Sequence, residues 1–203
     1  MPTCCVIGNG RSRIDLDLHQ INSVMTTIGC NALYRDFMPN HITAVDYSML
    51  NELVVVNKIY TQCTVWTEER ANYQLITPHV TYVHTGYPST LDSGNLALVV
   101  AGKLLHDIVY MIGFDYSIVT TEDGDKKNNN VYRDTFNYQN SNYIAGVLDL
   151  TKQWTNRLRY IVKKFPNTKY IRVNGNDYSC KISESNYSEI SMLEFNKLLK
   201  EIK

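Results

Sequence analysis

The chain has 203 residues, enough for one domain with a sizeable core, and its 20 basic and 20 acidic residues cancel, so no global field draws it to a polyanion. Five scattered cysteines, an odd number with no C-x-x-C pair, argue against a zinc site and a disulfide framework. With no apolar run long enough to span a membrane and no visible leader, the expectation is a cytoplasmic protein with reduced thiols.

The first element is Cys4 to Ile7, a short apolar run that stops at Gly8-Asn9-Gly10 and continues into Arg11, Ser12 and Arg13. A buried parallel strand reads this way when it delivers a tight loop to a phosphate, because glycines let the backbone turn and approach a ligand closely. The dinucleotide fingerprint is not met: Arg13 holds the third glycine position, and the next strand ends in Gly29-Cys30-Asn31 rather than an acid. That second strand is Val24 to Ile28. A short helix over 31–37 follows and stops before Pro39. Ile42 to Val45 is the third strand and ends at Asp46. Tyr47 to Lys58 carries Met49, Leu50, Leu53 and Val54 at helical spacing.

Ser93 to Leu105 opens on an Asp92-Ser93-Gly94 cap signal and is small and apolar all round, as in a helix buried against a sheet. Its first-turn N–H groups face the crevice side and could hold a phosphate. Ile108 to Ile112 is a strand ending in Gly113-Phe114-Asp115. The polar stretch from Thr120 to Tyr143, with Tyr132, Phe136, Tyr138 and Tyr143, reads as a mobile lid around 118–145. Thr151 to Lys164 is an amphipathic helix with Trp154, Leu158 and Ile161 on one face. From Thr151 to Asn176 there are seven cations, Arg157, Arg159, Lys163 and Lys164 among them, and no acid. A solvated helix face explains that run; so does a polyanionic acceptor such as DNA. Tyr170 to Val173 is a strand ending in Asn174-Gly175, and Ser191-Met192-Leu193-Glu194 is a capping box that opens a last helix.

Near-continuous apolar strands alternating with helices predict an α/β fold: a Rossmann-like parallel sheet flanked by helices, in a single domain over 1–203. Ligands of such sheets bind in the crevice at the carboxyl ends of the strands, so Asn9, Asn31, Asp46, Asp115 and Asn174 are brought toward one polar crevice. The wealth of Asn and Tyr, with AT-rich codons, predicts an AT-rich genome such as that of a phage.

The segments CVIGNGRSR, Asp15-Leu16 and TIGCNALYRDF resemble the first half of the bacterial CMP-sialic-acid-dependent sialyltransferases and related proteins of phages. Ser93-Gly94 leading into LALVVAGKLLHDIVYMIGFDYS resembles that family's Ser-Gly helix and following strand. The resemblance covers about residues 4–37 and 92–117, in the family's order. It implies a sialyltransferase-like fold that takes a nucleotide-sugar, CMP- or UDP-linked, and needs no cofactor or metal. By position, Gly8, Asn9, Gly10 and Ser12 would meet the phosphate or ribose, and Asn31 the nucleotide. Ser93 and Gly94 would meet the phosphate, and Gly113, Phe114 and Tyr116 would cradle base and ribose. Tyr132 and Tyr138 of the lid would donate to the leaving phosphate. The family's catalytic histidine after the lid has no counterpart, since no histidine follows His106. Asp46, Asp115 and His84 are the substitutes considered for the general base. The pairs Asp15-x-Asp17 and Asp123-x-Asp125 follow no strand and are discounted as metal ligands. The expected activity is transfer of a sugar to an acceptor hydroxyl, with a modified base in phage DNA as one acceptor. The alternatives are a nucleotide-binding protein without chemistry and, third, a phosphotransferase.

Overall fold

The computed structural model describes residues 1–69, 78–120, 126–133, 135–137, 147–174 and 179–202. Its centre is an eight-stranded sheet in which every pair is parallel. The strands are β1 (Thr3–Ile7), β2 (Thr26–Cys30), β3 (His41–Thr43), β4 (Thr64–Glu68), β5 (Thr81–Val83), β6 (Ile108–Ile112), β9 (Lys169–Asn174) and β10 (Tyr187–Ser191), in the order β10-β9-β6-β1-β2-β3-β4-β5. A separate antiparallel hairpin, β7 (Ile118–Thr120) with β8 (Lys126–Asn128), follows β6.

The continuous apolar runs are explained by burial on both faces. In β1, Cys4 and Val6 pack with helix α3 (Ser93–Lys103), while Cys5 and Ile7 pack with α1 (Leu18–Val24) and α5 (Met192–Glu201). All four are fully buried. Helix α3 has no polar face over its middle: Leu96 to Ala101 are wholly buried between the sheet and α4 (Val147–Lys164). Each such large side chain contributes about 1.5–3 kcal/mol of burial. A third apolar cluster joins β3, β4 and α2 (Tyr47–Asn51).

Three differences from the expected elements have local causes. The stretch taken as a strand from Val24 begins two residues later, because α1 runs to Val24 with Asp17 as its cap, accepting from the His19 and Gln20 N–H groups at 3.0 Å. The helix expected over 47–58 is regular only to Asn51. It then widens into a π-turn from Glu52 to Val56 and ends before Lys58, which is left-handed at φ 51°. Strands β4, β5 and β10 were not anticipated, nor were β7 and β8 where a lid was expected; in β4 and β10 the apolar residues are interrupted by Thr, Glu and Ser. The capping box of α5 is present as expected. Among the described residues, no helix is long and apolar enough to cross a membrane.

Candidate functional site

The direction in which the chain builds the sheet reverses between β1 and β6, which are neighbours. Loops leaving the ends of these two strands diverge there, and open parallel sheets bind ligands at that place. A cavity of about 180 Å³ lies at this point. Its floor is made by Gly8 to Gly10 after β1 and Gly113 to Ser117 after β6.

The two loops touch backbone to backbone. Gly8 N–H donates to the Ile112 carbonyl and Gly10 N–H to the Gly113 carbonyl, both at 2.8 Å. A Cβ on Gly8 would fall 2.5 Å from the Gly113 oxygen, and one on Gly10 2.5 Å from the Asp115 side chain. These glycines therefore serve the close approach of the loops, and their N–H groups are spent on it. That corrects the expectation that they present N–H groups to a phosphate. Gly113 itself has φ +67°, where only glycine is unstrained.

Asparagines supply most of the polar lining. Asn9 donates its amide to the Cys30 carbonyl at 3.2 Å. Its Oδ1, that of Asn31 and that of Asn95 are buried and have no hydrogen-bond partner among the described residues. All three residues line the cavity and come from three different elements. Asn31 is left-handed, with φ 52°. Tyr116, also lining, has φ 48°. Such backbone costs about 1–3 kcal/mol per residue and concentrates at functional sites.

Helix α3 starts at the cavity. Its cap, Asp92, accepts from Asn95 N–H at 2.9 Å and from the Asn95 amide at 2.7 Å. Ser93 is buried, and its hydroxyl accepts from Val45 N–H, just past β3, at 3.2 Å. Gly94 lies against the Phe114 ring. Phe114, Tyr116 and Trp154 form the apolar wall. Arg172 backs it, wholly buried on β9, donating to the Phe114 carbonyl at 2.8 Å with its guanidinium 5.5 Å from the Tyr116 ring. The Cys30 thiol, buried in the lining, is pushed up to about 12, first by burial, which disfavours the thiolate form.

Asp115 and Ser12 are linked to each other: Ser12 donates both its N–H, at 3.0 Å, and its hydroxyl to the carboxylate. Asn129 adds a third donor to Asp115 at 2.7 Å. Tyr132 is buried and turned away from the cavity. It accepts from Arg13 at 2.9 Å and donates to Asp36 at 2.6 Å. It therefore fastens its loop to the loop after β1, where the sequence suggested a donor to a leaving phosphate. Arg13, which spoils the dinucleotide fingerprint, also donates to the Gly8 carbonyl at 2.9 Å.

The sequence candidates thus separate. Gly8, Asn9, Gly10, Asn31, Ser93, Gly94, Gly113, Phe114, Asp115 and Tyr116 all line the one cavity. Asp46 does not; it is exposed at the start of α2. His84 is 79% exposed after β5, with Glu69 at 3.7 Å. Neither reaches the site as a base. Asn174 also lies off it, bonded to Glu189 at 3.4 Å. Tyr138, Asp123 and Asp125 fall outside the described residues. The basic face of α4 is engaged by the chain itself. Arg157 pairs with Asp92 at 3.0 Å and Lys163 with Glu184 at 3.3 Å. Arg159 donates to the Lys181 carbonyl at 3.1 Å and Lys164 to the Thr85 carbonyl at 2.8 Å. Asn95, Asn129, Asn130 and Trp154 were not anticipated in the cavity. The Asn128-Asn129-Asn130 run was the only signal for the loop pair. Among the described residues there is no group of three or more His, Cys, Asp or Glu that could hold a metal.

Compared with protein-family models, curated proteins and solved structures, the chain has no match in any of the three. Its own structure is an α/β, Rossmann-like fold on an all-parallel eight-stranded sheet, with the cavity where the strand order reverses.

Proposed function

We propose that the cavity binds a nucleotide-activated sugar and that the chain transfers the sugar to an acceptor hydroxyl without a metal. The observation that carries the reading is the set of three buried amide oxygens, on Asn9, Asn31 and Asn95, that lack partners among the described residues. A buried acceptor without a donor costs about 1–3 kcal/mol, so these oxygens favour a ligand rich in O–H and N–H groups. A nucleoside has such groups on its ribose and base. The apolar wall of Phe114, Tyr116 and Trp154 suits its base, since aromatic rings stack on one another. In the transfer, the acceptor oxygen bonds to the anomeric carbon and gives up its proton, the bond to the phosphate oxygen breaks, and the nucleotide leaves with the electron pair and takes up that proton on its phosphate, directly or through water. Because Arg159, Lys163 and Lys164 are engaged by the chain's own oxygens, a small acceptor is favoured over a duplex.

A second reading, binding without transfer, is favoured by one observation. The lining among the described residues holds no histidine, and its two carboxylates, Asp92 and Asp115, are already hydrogen-bonded. One experiment serves both. Calorimetric titration with CMP, UMP, GMP and AMP should give binding to CMP or UMP that weakens about tenfold in Asn31→Ala, the loss of one good hydrogen bond. Release of nucleotide from CMP- and UDP-sugars then separates transfer from binding alone. Absence of binding to all four nucleotides rejects both readings.

A further inference from the structure

We infer that Arg157 is the anion-recognising group of this crevice: its guanidinium, held at the rim by Asp92, takes an oxyanion of the ligand. The inference rests on the nucleotide reading and says where that ligand's charge is met.

Charge balance motivates it. The cavity lining contains two carboxylates and, among the described residues, no lysine or arginine. An anionic ligand entering such a site needs a cation at the edge. Asp115 has three donors on it, two from Ser12 and one from Asn129, and all three are neutral groups. Asp92 is different, because Arg157 Nη1 donates to its Oδ2 at 3.0 Å. The guanidinium therefore stands beside an oxygen of a residue that lines the cavity.

The helix puts it there. Trp154 lines the cavity, and Arg157 follows three residues later on α4, one turn along the same face. Its side chain is 18% exposed, within reach of a ligand but not loose in solvent. A guanidinium has five N–H donors in a rigid fork, and the described residues use one of them. The cap role of Asp92 does not depend on Arg157, since Asn95 supplies two donors to that carboxylate. Arg157 can hold Asp92 and a ligand oxyanion together. The positive end of α3, at Ser93 and Gly94, opens on the same cavity and adds to the field an anion meets there. Asn95, 1% exposed and with its Oδ1 unpartnered among the described residues, adds a buried acceptor at this end of the helix that a ligand donor would satisfy.

The shared chemistry is an oxyanion, and it has two sources: the phosphate of the nucleotide or the carboxylate of an acidic sugar. Calorimetry on the full chain with cytidine, CMP and CMP-sialic acid separates them. Wild type should bind CMP about tenfold tighter than cytidine, as expected for a charge-assisted bidentate contact. Arg157→Met should erase most of that ratio while cytidine binding stays within about twofold, and Arg157→Lys should restore part of it. Asp92→Asn, which keeps a good cap, should tighten CMP because it removes a competing negative charge. If Arg157→Met keeps the CMP-to-cytidine ratio but loses the preference for CMP-sialic acid over CMP, the oxyanion is the carboxylate. If neither ratio changes, or cytidine and CMP weaken equally, Arg157 is structural and the inference is overturned while the nucleotide reading stands. If wild type binds cytidine but neither CMP nor CMP-sialic acid any better, the inference alone fails; if it binds none of the three, both fall. Should Arg157→Met not fold, the Arg157→Lys and Asp92→Asn ratios decide in its place.

Discussion

Gly8 and Gly113 face each other where the two halves of the sheet meet. The Gly8 position has no room for a Cβ because the obstacle is the Gly113 carbonyl, 2.5 Å away, and a backbone atom cannot move aside as a side chain can. Gly113 adds the left-handed φ of +67°. Gly94, in the same cavity, is a useful contrast: its Cβ would come within 3.3 Å of the Phe114 ring edge and no closer to anything. Gly8→Ala should therefore destabilise by about 1–3 kcal/mol, the usual cost of overpacking, with Gly94→Ala well below it. For a chain of this size each kcal/mol lowers the thermal midpoint by about 2–4 °C. Differential scanning calorimetry of the two variants checks the order; equal midpoints would mean that the loops are not in the contact described.

At the scale of elements, residues 129–133 and 135–137 behave as a strap. Val131 N–H donates to the Asn9 carbonyl at 2.8 Å, and Tyr132 is buried between Arg13 and Asp36. Its far end is held at Glu52, whose buried carboxylate accepts from Tyr34, Arg35 and Asn137. Arg35 in turn donates to Thr135 and to the Phe136 carbonyl, both at 2.9 Å. Removing the carboxylate in Glu52→Ala leaves these donors without their common acceptor, a loss of about 1.5–3 kcal/mol. Opening of the strap should then become about tenfold more frequent for each 1.4 kcal/mol lost. Limited proteolysis at Phe136 reads that directly, and an unchanged cleavage rate would show that the strap is not held from Glu52. This is also where the sequence was least legible. Strands β1 and β6 and the middle of helix α3 announce themselves as nearly unbroken apolar runs, and β2, β3 and β9 as short apolar stretches that stop at a Gly, Asn or Asp; the ends of β1, β2 and β6 carry Asn9, Asn31 and Asp115 to the cavity. The strap has no period, and its partners lie far off in the chain, Asp36 to Tyr132 and Glu52 to Asn137. Neither composition nor spacing reports such pairings. Trp154 was legible as part of an apolar helix face, but whether that face meets a core or a cavity is decided only by what packs opposite.

At the scale of the whole molecule the two edges of the sheet do different work. The carboxyl ends of the strands hold the cavity; the opposite edge holds two histidines, His41 at the start of β3 and His106 just before β6. Burial lowers the pKa of both. For His41 the nearby His106 lowers it further, while Asp107 partly offsets the fall at His106. The Trp66 indole N–H donates to His41 Nδ1 at 3.3 Å, a bond that only the neutral ring can accept. The folded chain thus resists protons that the unfolded chain takes up at an ordinary histidine value of about 6.5. Below that pH the unfolded state binds more protons, so stability is full above about pH 6.5 and falls as pH drops toward the lowered folded values. Most carboxylates titrate below about pH 5, so the window between is governed by histidine. Thermal midpoints should fall from pH 7 to pH 5, and fall less in the His41→Gln/His106→Gln double variant. Nucleotide affinity in that variant should match wild type across the same window, because the histidines stand at the edge of the sheet opposite the cavity. A double variant with the wild-type slope would place the acid sensitivity elsewhere, and one with altered affinity would mean that the two edges of the sheet are coupled.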